Sequence, residues 1–427
     1  MAVQTSPPER SLLWVGLRLD NNGEIGLTLL LYALAEIANS RRSTVSRRAE
    51  LSSWIDTVSN HMPHLSKPQA RMLALWSLGI AVARTCGRRT VAYFLGELLG
   101  QRTATVEQRL REWCYDAADK RGERRREVEV STCFAPLLAW VVSLFQTNRI
   151  ALALDATQLS DRVVVLSVSV VYRGCGIPVA WHVCAAHQKE SWRPHWLRML
   201  RQLRPAIPAD WSVLVLTDRG LYARWLFRRI VRLGWHPFMR INRNAKFRPD
   251  GQRNWLNLSD LVQQVGDHWR GRGVAFKDRS TGRLNCTLLA WWGEGHDEPW
   301  FILTDLAPTA CQVEWYGLRA WCEQGFKCLK RGGWQWQSTR MTDPARVARL
   351  WLAMAVATLW VVSVGGAQED TLIPEMPDLV QPSQSTASTS PRKRGKRGIR
   401  VFRRGMIHLL VSWIVNSTLP MPKPLIP

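Results

Sequence analysis

The chain has 427 residues, 46% of them hydrophobic, which is enough for two or three domains with at least one substantial core and excludes disorder along the whole length. Lysine and arginine number 58 against 34 acidic residues, a net charge of +24; such a field points to a polyanionic partner, nucleic acid first and an acidic membrane surface second. Nine cysteines, scattered without a Cys-x-x-Cys or a paired Cys/His spacing, argue against a disulfide scaffold or a structural zinc site and suit a reducing cytoplasm.

The opening residues, MAVQTSPPERSLLW, contain no basic region followed by an apolar core and a small-residue cleavage site, so no export signal is expected. Residues 1–60 read as an N-terminal helical segment of unassigned role, with one apolar helical pattern, Glu24 to Ala38, and then a basic stretch, SRRSTVSRRAE. Residues 61–145 read as a helical domain: KPQARMLALWSLGIAVARTC, then RRTVAYFLGELLG, then ATVEQRLREWCYDAADKRGERRR. Gly100 is placed to close one helix, and Thr103 or Thr105 to cap the next. Two short helices about a turn in a basic setting resemble a helix-turn-helix; DNA binding is the expectation here, with plain packing as the alternative.

The texture then changes to strands. RIALALD (149–155), RVVVLSVSVVY (162–172) and IPVAWHV (177–183) are β-rich runs separated by TQLSD and RGCG, which predicts an antiparallel meander. A helix over 191–203, a buried strand at 212–217, a helix over 221–233 and a strand at 236–241 follow. That order is expected of an α/β, RNase H-like mixed-sheet core, built from residues 146–244 and 300–366. A polar, turn-rich, β-rich insertion at 245–299 interrupts it and carries a probable hairpin, GVAFKDRSTGRLNCTLLAWW.

Strand 300–304 resumes the core. A long helix is expected from Thr309, where TACQ reads as a capping box, to Gly332 and Gly333. Two apolar runs, Leu350 to Val364 and Met406 to Val415, fall short of the roughly 20 residues a membrane span needs. The first is read as a buried helix, and no membrane partner is expected. Residues 367–404 read as a disordered linker ending in a basic run, PRKRGKRGIRVFRR, suited to touching nucleic acid; 405–427 form a short apolar segment of unassigned role.

Asp155 stands at the expected exit of one apolar strand, ALALDAT, and Asp218 repeats that arrangement in VLVLTDRG, at the ends of strands where sheet ligands commonly bind. Glu323 lies in the later helix, where steps of about 100° per residue put Tyr316, Arg319, Glu323 and Lys330 on one narrow face. An ordinary i to i+4 pair explains Arg319 with Glu323 but not the other two. Gly317 and Gly325 within that helix either weaken the helical reading or mark the close approach of another backbone. Asp161, in an expected turn, and Asp305, at the end of strand 300–304, are the competing acids, and His182, His187 and His195 form no convincing ligand cluster.

Tyr316, Arg319, Glu323 and Lys330, at those spacings, resemble the Tyr-Arg-Glu-Lys signature of the insertion-sequence-four type of DDE transposases. The likeness extends more loosely from about Ser66 to Gly366, over LALDAT, LTDRG and the β-rich insertion. The resemblance implies that Asp155, Asp218 and Glu323 are catalytic and hold two Mg²⁺ ions, with Mn²⁺ a possible substitute, and that Tyr316, Arg319 and Lys330 bind DNA phosphates. It further implies double-stranded DNA partners, both transposon ends and target, a homodimer in the synaptic complex and a cytoplasmic, DNA-associated protein. In similar enzymes an aromatic residue of the insertion receives a flipped base; Trp255, Trp269, Trp291, Trp292 and Trp300 are the candidates, with ordinary packing the alternative for each. Two other functions stay open: a metal-dependent nuclease that cuts without joining, and a DNA-binding protein with an inactive or repurposed core.

Overall fold

The structure, a computed structural model, describes residues 41–121, 125–188, 191–277, 282–367, 399–415 and 418–425. The apolar pattern at 24–38, the segment 371–391 and most of the basic run lie outside these residues.

Among the described residues five α-helices precede the sheet: α1 (Arg41–His61), α2 (Lys67–Ala83), α3 (Arg88–Leu99), α4 (Thr103–Trp113) and α5 (Phe134–Leu144). Helix α1 falls within the segment 1–60 read as helical, but the apolar pattern at 24–38 did not place it, because its basic first turns hide the periodicity that buries Leu51, Trp54 and Val58. Gly100 ends α3 in the left-handed conformation, as its position suggested. Neither Thr103 nor Thr105 caps α4: Arg102 holds the cap position, with no side-chain bond. The α3 and α4 pair is instead tied by Arg88, whose Nε donates to Glu107 at 3.1 Å.

The strands are β1 (Arg149–Leu159), β2 (Val163–Tyr172), β3 (Cys175–Ala185), β4 (Ser212–Thr217), β5 (His236–Arg240), β6 (Lys246–Pro249), β7 (Leu256–Asn257), β8 (His268–Ala275), β9 (Leu284–Trp291) and β10 (Trp300–Thr304). Helix α6 (Arg193–Leu203) joins β3 to β4, α7 (Arg224–Arg232) joins β4 to β5, and the short α8 (Leu258–Leu261) follows β7. All ten strands form one mixed sheet in the order β3-β2-β1-β4-β5-β10-β9-β8-β6-β7. The meander β1-β2-β3 is antiparallel as expected, β1, β4 and β5 run parallel, and β10 returns antiparallel to β5. Strands β6 to β9 are not a separate sheet: through the β9–β10 pairing they extend this one.

Two expectations about backbone need correction. Strand β1 continues to Leu159, paired with Val163 of β2, so Asp155 lies inside the strand and TQLSD is mostly strand. Buried Thr157 and Leu159 maintain the alternation that keeps the strand going. No capping box forms at Thr309: residues Val313–Arg319 make a 3₁₀ turn, and the α-helix proper, α9 (Ala320–Leu329), begins after it. Gly317 weakens α-helix here, while Trp315 packs on Phe238 and Tyr316 turns in against Trp300. Lys330 has already left helical geometry, so α9 ends before Gly332 and Gly333.

Helix α10 (Pro344–Ala367) has 24 residues, more than the apolar run suggested and enough in length and apolarity to cross a membrane, but its most apolar stretch is almost wholly buried inside the protein, as in a core helix. Trp360 on it stacks on Trp54 of α1 with ring centres 4.0 Å apart, and Trp181 of β3 donates to its Ala348 carbonyl at 3.0 Å. Helix α11 (Val401–Ile414) incorporates the end of the basic run and crosses α10 at Gly365 and Gly405.

Helix α9 rests on β3 at a contact that only glycine permits. A Cβ on Gly325 would stand 2.6 Å from the Gly176 carbonyl oxygen and 2.8 Å from its nitrogen. This close approach accounts for one of the two glycines that are unfavourable in a helix. Gly325→Ala is expected to push α9 off the sheet and cost about 1–3 kcal/mol, measured as a lowered thermal or denaturant midpoint; an unchanged midpoint would show that α9 is not seated on β3.

Candidate active site

Strand β1 pairs with β4 from Arg149 to Leu154, and the last partners are Leu154 and Thr217. Asp155 and Asp218 are the next residues of the two strands, so both carboxylates emerge where the parallel ladder stops. Asp155 remains paired with Ser167 of β2 on its other side, which holds its backbone in the sheet. Its Oδ1 accepts from the Ala156 backbone N–H at 2.8 Å. Asp218 opens a 3₁₀ turn, Arg219–Leu221, and its Oδ1 accepts from the Gly220 N–H at 3.0 Å.

Arg319, the last residue of the 3₁₀ turn before α9, reaches into this opening. Its Nη2 donates to Asp155 Oδ2 at 2.9 Å and also approaches Asp218 Oδ2 at 3.5 Å. Its Nη1 donates to Glu323 Oε1 at 2.5 Å, the pair one turn apart in sequence. Three acids from β1, the end of β4 and α9 therefore meet on one guanidinium. Asp155 and Arg319 are largely covered, whereas Glu323, with 56% of its side chain exposed, faces solvent. Burial pushes the Asp155 carboxyl above its usual range, and Arg319 pulls it part of the way back. Burial also opposes the charge on Arg319, but the surrounding acids, Asp155 first, outweigh it and hold its pKa above the usual range.

The other two signature residues lie differently from expectation. Tyr316 is buried, its ring edge-on to Trp300 with centres 5.2 Å apart and its hydroxyl near Arg240, and burial pushes its pKa up to about 12. So covered, the Tyr316 hydroxyl is directed to Arg240 and its ring packs on Trp300. Lys330 does not join the carboxylates, because its Nζ donates to the Gln158 carbonyl of β1 at 3.0 Å, three residues beyond Asp155. The sequence reading missed Glu298, which bonds Arg219 and Arg240 at 2.8 Å each beside Asp218 and Tyr316. Only Arg219, in LTDRG, carried a sequence signal.

The competing acids have other partners or places. Asp305 pairs with His236 Nδ1 at 3.1 Å, and Asp161 lies in the β1–β2 turn. Of the five tryptophans, Trp300 touches Tyr316, Trp291 packs on Trp300, Trp269 on Phe247, and Trp292 donates to the His296 carbonyl. Trp255 lies within 5.5 Å of both the Arg248 and Arg283 guanidinium carbons.

The donor set, carboxylate oxygens alone, suits a hard cation such as Mg²⁺, and the guanidinium shows that the position favours positive charge. As they stand, the acids are drawn onto that guanidinium, and no three His, Cys, Asp or Glu side chains among the described residues are grouped to hold a metal ion. Asp155, Asp218 and Glu323 are the residues that would hold one.

Residues 152–360 match the family model described as the transposase DDE domain, a span that runs from β1 into α10 and includes all three acids. The match supports a DDE transposase. Among curated proteins none matches the chain. Among solved structures the chain is similar to a piggyBac transposase, seen by cryo-EM in a synaptic complex with hairpin DNA. Identity is 9%, 77% of this chain and 75% of that one are covered, and the TM-score is 0.32, too distant to place residues.

With the Asp155 pKa raised by burial and lowered in part by Arg319, its carboxyl in the metal-free protein is expected to titrate above the ordinary Asp value of 3.8. Arg319→Ala is expected to move that midpoint higher still. Carbon-detected NMR titration of the Asp155 carboxyl checks both; a midpoint at or below 3.8, or a downward move in the variant, would contradict this electrostatic picture.

Proposed function

We propose that the protein is a transposase that cuts and joins DNA strands at the ends of an insertion sequence, with Asp155, Asp218 and Glu323 as its catalytic, metal-holding carboxylates. The observation that carries this reading is their meeting on the Arg319 guanidinium although they lie on separate elements, 63 and 105 residues apart along the chain. The strand order β3-β2-β1-β4-β5, with β1, β4 and β5 parallel, supports an RNase H-like core, with the two aspartates at the end of its central parallel pair and Glu323 on the helix beside them. The Tyr316, Arg319, Glu323 and Lys330 spacing supports the insertion-sequence-four type.

Divalent Mg²⁺, or Mn²⁺ in its place, would activate the attacking oxygen and stabilise the leaving one when held by the three acids. The chain's own residues supply the setting. Asp155 and Asp218 are fixed by the backbone amides of Ala156 and Gly220, which orients both carboxylates before DNA arrives. Arg319 and Lys330 bind phosphates near the scissile bond, positioning the duplex without reading its sequence. Tyr316 contributes by packing the 3₁₀ turn that carries Arg319 against Trp300. The helical region 61–145 grips DNA, the protein works as a homodimer on paired ends, and its place is on DNA in the cytoplasm.

A Mg²⁺-dependent cleavage assay on the DNA ends flanking the coding region tests the assignment. Asp155→Ala and Glu323→Ala are each expected to lower the rate by about a hundredfold or more, with duplex binding retained. Equal cutting by the parent and both variants would remove the three acids from the chemistry. Supplying a pre-cut 3′-hydroxyl end with target DNA should give joined strands; cutting without joining would favour a nuclease.

A further inference from the structure

The position of Arg319 has a consequence beyond phosphate binding. Its Nη2 stands between Asp155 Oδ2 and Asp218 Oδ2, at 2.9 and 3.5 Å, and its Nη1 donates to Glu323 Oε1. A Mg²⁺ ion needs oxygen ligands at about 2.0–2.1 Å. No ion can bridge both aspartates at that distance while a guanidinium nitrogen fills the same gap. Three carboxylates against one guanidinium still leave two negative charges, so the site keeps its attraction for a dication. The arginine is also incompletely satisfied: its buried Nε–H has no hydrogen-bond partner among the described residues. A DNA phosphate would offer it a bidentate partner.

We propose that Arg319 is an internal counter-ion that locks the carboxylates until DNA draws it away, so that divalent-cation binding and DNA binding reinforce each other. The inference rests on the reading that Asp155, Asp218 and Glu323 hold the metal. By linkage, whatever DNA adds to cation affinity, the cation adds to DNA affinity. The lock also steadies the bare protein: with the arginine in place the acids hold a cation less tightly and do not face one another uncompensated.

Mn²⁺ binding to the full-length protein, followed at neutral pH by the electron paramagnetic resonance signal of the free ion, tests this without reference to activity. In the absence of DNA, Arg319→Ala is expected to bind Mn²⁺ about tenfold more tightly than the parent, within the range of ordinary site coupling. Arg319→Gln, which keeps much of the side-chain volume, should do the same and serves if the alanine variant is poorly folded. A duplex should tighten Mn²⁺ binding to the parent, after subtraction of ions held by the duplex alone, and should add nothing to either variant. Binding in both variants no tighter than in the parent would overturn the lock. Adding Asp155→Asn separates the two ideas. If it abolishes Mn²⁺ binding to the parent while the Arg319 variants gain nothing, the metal reading stands and the lock fails. If Mn²⁺ binding ignores Asp155→Asn throughout, the metal reading fails and takes the lock with it.

Discussion

Like charges cannot be gathered in a partly buried place without a counter-charge, and here the counter-charge is Arg319. Two aspartates at the end of a parallel strand pair and a glutamate one turn along a helix would repel each other strongly with water thinned around them. The guanidinium bonds all three. Much of the surrounding architecture serves to bring it there. The 3₁₀ turn delivers Arg319 to the strand ends, Gly325 lets α9 lie directly on β3, and buried Tyr316 packs the turn against half-buried Trp300 of the sheet.

The sheet fixes the rest. The Leu154–Thr217 pairing is the last rung of the parallel ladder, and the side chains beyond it project where neither strand continues to pair with the other. Because β6 to β9 extend the same sheet through β10, the β-rich insertion is held in fixed relation to these strands. Trp300, the first residue of β10, links the two by pairing with Trp291 of β9 and packing on Tyr316. A tryptophan cluster of Trp54, Trp140 and Trp360 binds the helical region to α10, and most tryptophans among the described residues are buried or partly buried.

The strand meander, the parallel strands and the buried helix α10 were legible because their patterns are local: runs of Val, Leu and Ile bounded by turn residues. Asp155 and Asp218 were legible for the same reason, as single acids attached to apolar runs. Glu323 was legible only through a spacing shared with a known family, since nothing local distinguishes it from a surface glutamate. What escaped the sequence depends on contacts between distant residues. The burial of Tyr316, the Lys330 bond to the Gln158 carbonyl and the Glu298 bridge between Arg219 and Arg240 all arise from tertiary packing. The pairing of Asp305 with His236, which separates that acid from the site, joins residues 69 positions apart. Helix α1 was hidden by composition, because arginines crowd its first turns while its buried face holds few apolar residues.

That the three acids surround a single point is the claim on which the functional reading stands, and iron-directed backbone cleavage addresses it most directly. With the end duplex bound, Fe²⁺ in place of Mg²⁺ and peroxide with ascorbate added, hydroxyl radicals cut the polypeptide nearest the ion. Cuts grouped beside residues 155, 218 and 323, and lost together on Asp155→Ala, are the result this arrangement requires. A single cut elsewhere, or cuts beside one acid without the other two, would contradict it.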